Sequence, residues 1–475
     1  MNAPGTITPR RPRLRLAPAL ACGALLASGC AVFAPKDRTE PVVEKDARFS
    51  LYAGNDAPRS TNAWWLAFDA PELNALMTEA LTNNPSIQQA WARLKQADAF
   101  ARRAGSARWP WLNYGGNAAR AKNSITHTGI DAYSLGLNAS YELDLWGRIK
   151  SQAEAAEMDR QASREQVESV ALTLSSQIAL RWTALIAQRK QTAVLRRQLA
   201  ANRTSLELIE LRFRQSLASA LDVYQQRQAV AATEALIPPS ELRETLLRNE
   251  LAALLGRPDV ASVDVAETNL PALGPTPPAG LPADLLAHRP DVRAAGLRLQ
   301  SADWLVSSAR AARLPAIRLT ADAAYRNGNL SDLFDDWYAN LAAGLAGPVF
   351  EGGRRKAEVA RARAVAEERL ASYRETVIRS VREVEDALAG EKKQREYLVA
   401  LDRQTDLARR SYDESIHRYR NGLIDYTTVL LQLNSRQTLE RRQIEARYNL
   451  TAARINLLRA LGGQTNPAPN PPTRP

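Results

Sequence analysis

Long stretches of the chain carry apolar or uncharged residues at steps of three, four and seven, with charged residues between them. Proline is absent between Pro110 and Pro238 and between Pro348 and Pro467, and both stretches are rich in helix-forming residues. A seam of this period over many turns is typical of a coiled coil. A helix over residues 148–213 would be about 100 Å long at about 1.5 Å per residue, which predicts a helical rod or barrel. The seam positions are Ile178, Leu185, Thr192, Leu195, Leu199, Leu206, Ile209 and Phe213, then Val377, Val381, Val384, Leu388, Leu398, Leu401, Thr405, Ala408, Tyr412, Ile416 and Tyr419.

Between the helical stretches the period changes to two. Residues 133–146 alternate apolar with polar side chains, which predicts a strand with one face of each kind. Residues 111–122 indicate a weaker strand, and 316–326 and 337–350 are the counterparts later in the chain. Strands of about ten residues with tryptophans near their ends are typical of membrane β-barrels, although soluble hairpins on a helical body would give a similar pattern. The tryptophans are Trp109, Trp111, Trp146 and Trp337.

Four strands cannot close a barrel, and an open sheet edge in lipid would leave backbone groups without hydrogen bonds. We therefore expect several chains to combine their strands in one barrel.

The chain is also duplicated, with an offset of 205 or 206 residues between the copies. The first copy covers residues 72–256, with a hairpin at 109–146, and the second covers 277–463, with a hairpin at 315–350. A proline-rich linker at 257–276 joins them. The pairs that carry the offset are Pro85 with Pro290, Pro110 with Pro315, Gly147 with Gly353, Phe213 with Tyr419, Val223 with Val429, and Gly256 with Gly462.

The N-terminal residues 1–29 are predicted to be a signal peptide, because four arginines precede an apolar run that is too short to span a bilayer. The run ends at Cys30 in a sequence that resembles a bacterial lipobox, in which the cysteine is acylated and becomes the new N-terminus. An ordinary signal peptide cut nearby is the alternative. We expect 30–71 to be a lipid-anchored segment and 464–475 to be a disordered tail.

Composition argues against several other classes of protein. Removal of residues 1–29 takes away four arginines and no acid, so the net charge falls from +12 to +8, a mild surplus that does not indicate nucleic-acid binding. Three widely separated histidines and two cysteines, of which Cys22 lies in the predicted signal peptide, offer no metal site and no Cys/His nucleophile, and the sequence contains no phosphate-binding glycine loop. We expect no enzymatic activity and no cofactor other than the lipid on Cys30.

The lipobox, the duplicated helical unit and the turn at residues 418–430 together resemble the TolC-like outer-membrane efflux channels, in particular the NodT-type lipoproteins. The resemblance implies a mainly α-helical fold with a membrane β-barrel portion. It also implies a homotrimer, whose strands form a twelve-stranded barrel in the outer membrane of a Gram-negative bacterium, continued by a periplasmic α-helical tunnel. Residues 30–71 would then belong to the equatorial region of the tunnel.

The same resemblance implies the function and the partners. The chain would be a passive exit duct for drugs or other small toxic molecules, served by a periplasmic adaptor of the membrane fusion class and an inner-membrane pump of the resistance-nodulation-division class. Two alternatives stay open. The same fold could export proteins or peptides, or the chain could be a lipid-anchored periplasmic scaffold with no pore.

The turns between the long helices, near 214–222 and 419–429, form the candidate functional site. A sharp reversal needs a residue with unusual backbone freedom, which Gly422 supplies, whereas Ser216 occupies that position in the first copy. We therefore expect the two turns to differ in shape. The resemblance implies that the periplasmic tip, gate and adaptor-docking surface is formed by Phe213, Arg214, Ser216, Leu217, Asp222, Tyr419, Arg420, Gly422, Leu423, Asp425 and Tyr426.

Family members commonly carry an acidic residue six or nine positions after the turn glycine, where it forms a ring at the entrance. The second copy has Thr428 and Leu431 at these positions, and the first has Asp222 and Gln225. Asp222 is the leading candidate for an acidic ring, and Asp425 is the other.

Overall fold

A computed structural model describes residues 33–35, 48–50, 63–122, 125, 129–259, 263–280 and 282–465. The predicted signal peptide at 1–29, Cys30 and the predicted tail from residue 466 onward lie outside the described residues. After a short 3-10 helix at Trp64–Phe68, the elements are α1 Pro71–Asn83, α2 Pro85–Ser106, β1 Trp111–Lys122, β2 Gly129–Leu143, α3 Arg148–Arg214, α4 Ala220–Ala235, α5 Ile237–Leu255, α6 Asp284–His288, α7 Pro290–Ala311, β3 Ala316–Asn327, β4 Trp337–Ala346, α8 Arg354–Arg420 and α9 Tyr426–Ala460.

The described residues fall into two compact units. The strand unit contains residues 96–161 and 297–371, and the helical unit contains the described parts of 40–95, 162–296 and 372–475. The predicted fold, long helices with two hairpins in a duplicated chain, is confirmed. Strand β2 begins four residues before the predicted strand, and β4 ends at Ala346 instead of Phe350.

The strand unit holds one antiparallel sheet with the order β1-β2-β3-β4, so the hairpins of the two copies are joined through β2 and β3. The register places Leu137 opposite Ala323 on one face and Asn138 opposite Asp322 on the other. One face is therefore apolar and the other polar, as the alternation predicts. Large side chains on the apolar face are exposed, namely Leu112, Tyr114, Leu135, Leu137, Leu341 and Leu345.

The long helices α3 and α8 each contain 67 residues and start directly after the sheet in their copy. Both begin after a glycine in the left-handed region, Gly147 with φ of +72° and Gly353 with φ of +83°. Asp144 accepts hydrogen bonds from the first free amides of α3, those of Ile149 at 3.0 Å and Lys150 at 2.6 Å. The sequence therefore fixes the point at which strand gives way to helix.

The predicted seam is buried over most of α3, whereas in α8 four of its eleven positions are buried and the other seven are half-buried. Ile178, Leu185 and Leu195 on α3, and Val377 and Val384 on α8, are at most 3% exposed. Phe213, the last predicted seam residue of α3, is 46% exposed and so leaves the seam near the turn. Among the described helices, α3 contains one stretch that is apolar and long enough to cross a membrane, and 72% of that stretch is buried within the protein, as in a core helix.

The helical unit shows the duplication in matching contacts where each copy ends. Gly256 and Gly462 both follow the last helix of their copy with φ of +74°. An added Cβ on Gly256 would lie 2.9 Å from a backbone oxygen of the α1–α2 junction, and one on Gly462 would lie 3.1 Å from the corresponding oxygen after α6. The side chains of Asn84 and Arg289, 205 residues apart, each donate to a carbonyl near the end of that last helix, at 2.7 Å and 3.0 Å.

The copies differ in the helix that follows the tip. In the first copy this helix is broken at Leu236 into α4 and α5, because Pro238 and Pro239 cannot donate the amide hydrogen bonds of a helix interior. In the second copy α9 runs for 35 residues without interruption. The sequence marks the difference, since no proline falls between Pro348 and Pro467.

The described parts of the linker and the start of the predicted tail belong to the folded helical unit. Val263 and Val265 are buried in its main core, and the amide of Ala266 donates to the carboxylate of Glu72 at 2.6 Å. Thr465 is 3% exposed and donates to Glu168 at 3.1 Å. The prediction of a disordered tail from residue 464 is therefore wrong for its first two residues, which this contact and the hydrogen bond from the amide of Trp64 to the carbonyl of residue 464 hold in place.

Candidate functional site

The first turn reverses the chain between α3 and α4 within residues 215–219. Ser216 has a left-handed backbone with φ of +63°. Its amide donates to the carbonyl of Phe213 at 2.9 Å, and the amide of Leu217 donates to the carbonyl of Arg212 at 2.8 Å. This pair of bonds is the Schellman motif, which satisfies the last carbonyls of a helix while turning the chain away from it.

The second turn, between α8 and α9, has the same geometry. Gly422 has φ of +69°, its amide donates to the carbonyl of Tyr419 at 3.0 Å, and the amide of Leu423 donates to the carbonyl of Arg418 at 3.0 Å. The expectation that the two turns differ in shape is therefore wrong. The capping bonds set the conformation in both, and Ser216 adopts it at a cost of about 1 kcal/mol relative to glycine.

The helices that leave the two turns are capped differently. Ser219 and Asp222 form a capping box, in which the Asp222 amide donates to the Ser219 hydroxyl at 3.1 Å and the Ser219 amide donates to the Asp222 carboxylate at 2.8 Å. Asp425 is the counterpart of Ser219, because it is the residue at the cap position before α9. Its side chain accepts no capping bond and is exposed. Asp222 thus stabilises the start of α4, whereas the carboxylate of Asp425 faces solvent. Neither observation tests the predicted acidic ring.

A small apolar core joins the two turns. Ile209 from α3, Val223 from α4, and Tyr426 and Val429 from α9 are all buried in it. Tyr419 of α8 packs against this core, and its ring lies 5.4 Å from that of Tyr426 and beneath the guanidinium of Arg212 at 4.9 Å. The tips of both copies therefore form one packed body, which we call the tip.

Beside this apolar core runs a chain of buried polar side chains that links α3, α4 and α9. The Tyr426 hydroxyl donates to Gln226 at 2.8 Å, and the Gln226 amide group donates to the backbone carbonyl of Asn202 at 2.7 Å. The Asn202 side chain accepts from Gln437 at 2.9 Å and donates to Thr233 at 2.8 Å. Unpaired polar groups at these positions would be costly, so the five side chains fix the register of the three helices.

Sequence reasoning missed most of this polar chain, although a signal was present. The predicted seam steps by seven from Leu199 to Leu206, and Asn202 lies on the helix face between them. A polar residue at a seam position is a known device for fixing register in coiled coils.

Burial at the tip also affects the tyrosines. Burial, with smaller contributions from neighbouring Tyr412, Tyr419 and Asp222, raises the pKa of Tyr426 well above its usual value. Burial likewise raises the pKa of Tyr412 and of Tyr419. These hydroxyls therefore stay protonated at physiological pH, and that of Tyr426 remains a hydrogen-bond donor to Gln226.

The outer surface of the tip carries exposed apolar side chains among polar and basic ones. Leu217 and Leu423, each directly after the left-handed residue of its turn, are 60% and 70% exposed. Leu221 and Tyr224 on α4 are exposed as well, and the sequence analysis did not select them. Of the predicted site residues, Tyr419 and Tyr426 pack inward and Asp222 caps α4. The others lie at the surface of the tip, namely Phe213, Arg214, Ser216, Leu217, Arg420, Gly422, Leu423 and Asp425.

The tip offers shape and surface for binding a partner, and the described residues contain no group of three His, Cys, Asp or Glu side chains placed to hold a metal ion.

Comparison with known proteins agrees with this architecture. A profile of the family described as outer membrane efflux protein matches residues 76–257 and 281–463, close to the two predicted copies. The pyoverdine export outer membrane protein OpmQ of Pseudomonas aeruginosa is 33% identical over 87% of this chain and 90% of that protein. The toluene efflux pump outer membrane protein TtgF of Pseudomonas putida is 30% identical over 92% of this chain and 94% of that protein.

A solved structure of the outer-membrane channel OprN matches with a TM-score of 0.85 and 26% identity, covering 91% of this chain and 99% of that chain. The match extends over both copies of the duplicated unit.

Proposed function

Because this chain belongs to the outer membrane efflux protein family and is an outer-membrane efflux channel, we propose that it works as a homotrimer with a periplasmic adaptor and an inner-membrane pump. In this assembly the chain is a passive duct, and the energy for transport comes from the pump. Drugs and other small toxic molecules are the proposed substrates. The relatives that export pyoverdine and toluene support a small-molecule cargo.

The four-stranded sheet is the observation that carries the proposal. Within the described strands, β1 and β4 each pair on one side only, and all residues of β1 and all of β4 except Tyr338 are exposed. An apolar sheet face suits lipid, but two open edges do not, since their amides and carbonyls would lack partners there. Three copies that join β4 of one to β1 of the next would close a twelve-stranded barrel and satisfy both edges.

The tip is the proposed gate and adaptor-docking surface. Exposed leucines at the same position of both turns present two similar apolar contacts, and Arg214 and Arg420 lie close to them in the sequence. Apolar anchors with a polar rim are typical of protein interfaces. The acidic ring at Asp222 or Asp425 stays a prediction, and the capping role of Asp222 favours Asp425 as the freer carboxylate.

We also propose that the mature chain is anchored by a lipid on Cys30. The lipobox-like sequence before that residue supports it.

The test of the proposed function is dye accumulation in a Gram-negative strain that lacks its own exit duct. The gene is expressed alone, or together with genes for a periplasmic adaptor and an inner-membrane pump. We expect less intracellular dye only when all components are present. Unchanged dye together with a new protein in the medium would move the assignment to protein or peptide secretion.

A matched pair of variants separates docking from channel formation. Leu217→Ser combined with Leu423→Ser removes the exposed leucine of each turn and should restore dye accumulation to the level without the channel. Leu242→Ser removes an exposed leucine of α5, away from the turns, and should leave efflux unchanged. Equal efflux in the two would contradict the docking role of the tip.

A further inference from the structure

The helical unit contains a cavity of about 800 Å³ that is separate from the tip's apolar core. Its walls come from α3, from the linker at 269–273, and from α8 and α9. This volume is typical of sites for drug-sized molecules, which range from about 300 to about 1,000 Å³. The helices and the linker thus leave room for a small molecule.

Basic side chains dominate the polar part of the cavity wall. Five basic residues line it, against one acidic residue, Glu440. Lys190 donates to the neutral amide oxygen of Asn269 at 2.9 Å, and Arg197 makes no hydrogen bond or ion pair with the described residues. Neither positive charge is neutralised by a carboxylate.

The remaining cations share too few carboxylates. Glu391 accepts two short hydrogen bonds, of 2.6 and 2.8 Å, from buried Arg454. It also pairs with Arg395 of the wall at 3.0 Å. One carboxylate thus faces two guanidinium groups, and one of the two positive charges is left uncompensated. Arg436 lies 3.3 Å from Glu440.

Arg447 is 3.9 Å from Asp402, and the same carboxylate oxygen also accepts a hydrogen bond from Gln443. The cavity therefore has an excess of positive charge, which favours an anion.

The rest of the wall contains both apolar side chains and neutral polar ones, the latter being Gln198, Asn269, Gln437, Gln443 and Thr451. Val194 from α3, Leu270 and Leu273 from the linker, Leu398 from α8, and Ile444 and Leu450 from α9 face the same space. A fully hydrated inorganic anion would gain nothing from these side chains, whereas an aromatic or aliphatic body would bury apolar surface against them.

We propose that this cavity binds small amphipathic anions, with a sulfonate or carboxylate group among the basic side chains and an apolar body against Val194, Leu270 and Ile444. The site is additional to the export function.

The test uses the purified, fully assembled protein and two fluorescent probes with the same aromatic body. One is 8-anilino-1-naphthalenesulfonate, which carries the anionic group, and the other is N-phenyl-1-naphthylamine, which lacks it. We expect saturable binding of the sulfonate that weakens roughly tenfold in Arg197→Gln, since a hydrogen bond to a charged group is worth about that factor. The neutral probe should bind both proteins equally.

Arg196→Gln is the matched control, because Arg196 is the next residue, carries the same charge and pairs with Glu241 away from the cavity. It should change sulfonate binding less than twofold. All titrations are made at one detergent concentration, so that partition into micelles is the same in each.

Arg447→Gln provides a second variant on the opposite wall, with Arg442→Gln as its control on the exposed surface of α9. Two results would overturn the proposal. One is sulfonate binding that is equal in wild type, Arg197→Gln and Arg447→Gln, and the other is the absence of saturable binding to the wild-type protein. Neither result bears on dye efflux, so the proposed function and this site can fail separately.

Discussion

Gly136 is the residue on which the joining of the two hairpins depends most closely. It lies on β2 directly opposite Ala324 of β3, where the hairpins of the two copies pair with each other. A Cβ added at Gly136 would lie 2.6 Å from the carbonyl oxygen of Ala323 and 2.8 Å from the Cα of Ala324. We therefore predict that Gly136→Ala forces β2 and β3 apart.

The size of the effect follows from these distances. Ordinary contact begins near 3.4 Å, and the added atom would lie only 2.3 Å from the Cβ of Ala324, so the strands must separate by about 1.1 Å. A ladder hydrogen bond of about 2.9 Å then exceeds 3.5 Å, and the loss of two such bonds adds to a steric cost of about 1 kcal/mol or more. The total is about 3 kcal/mol per chain. For a chain of this length, that lowers the melting temperature by about 3 °C, if unfolding is cooperative.

The assay is the fraction of protein that reaches the outer membrane as a heat-resistant oligomer, together with the thermal unfolding midpoint of the purified material. Gly344→Ala is the control, because Gly344 lies in β4 of the same sheet and an added Cβ there meets nothing within 4 Å. Gly344→Ala should behave as wild type. If Gly136→Ala also assembles fully and melts at the wild-type temperature, the close β2–β3 approach does not hold the hairpins together.

Three further changes test other parts of the account. Gly422→Ala puts a side chain on a left-handed backbone and should lower the free energy of unfolding by about 1 kcal/mol. Gly390→Ala, inside α8 and equally free of neighbours, should raise the free energy of unfolding by about that amount. We expect the two variants to shift the melting temperature in opposite directions in scanning fluorimetry. Burial alone would raise the pKa of Glu391, but its bonds to Arg454 outweigh burial and lower that pKa. The stability that the pair contributes is therefore present above about pH 4.5 and is lost as the pH falls through the lowered pKa of Glu391. Glu391→Gln should cost about 3 kcal/mol at neutral pH and remove that acid dependence from unfolding curves. Cys30→Ala should abolish incorporation of radioactive palmitate, and labelling that persists would exclude acylation at that residue.

Features with a regular period could be predicted from the sequence. The seam through Ile178 and Leu185 and the alternation around Leu137 each repeat over many residues, so they predicted the helices, the strands and their faces. The offset of 206 residues between Gly147 and Gly353 predicted the duplication. Each of these signals depends on the spacing of residues along the chain, and a pattern that repeats many times stays recognisable even where single residues depart from it.

Features that depend on tertiary contacts could not be predicted in the same way. The serine at position 216 pointed to a different turn, but the capping bonds of the helix end impose the same left-handed backbone as at Gly422. The role of Asp222 as a cap depends on Ser219 three residues earlier, a short pattern that competed with a functional interpretation. The pairing of Gln226 with Tyr426 joins residues 200 positions apart, and no local period indicates it.

Single-channel recording tests the central claim most directly. The purified protein is added to a planar lipid bilayer, and its oligomeric state is measured in the same preparation by native mass spectrometry. We predict discrete conductance steps from a particle of three chains. A stable trimer that inserts but passes no current, or a monomer that gives none, would contradict a trimeric channel and support a lipid-anchored scaffold without a pore.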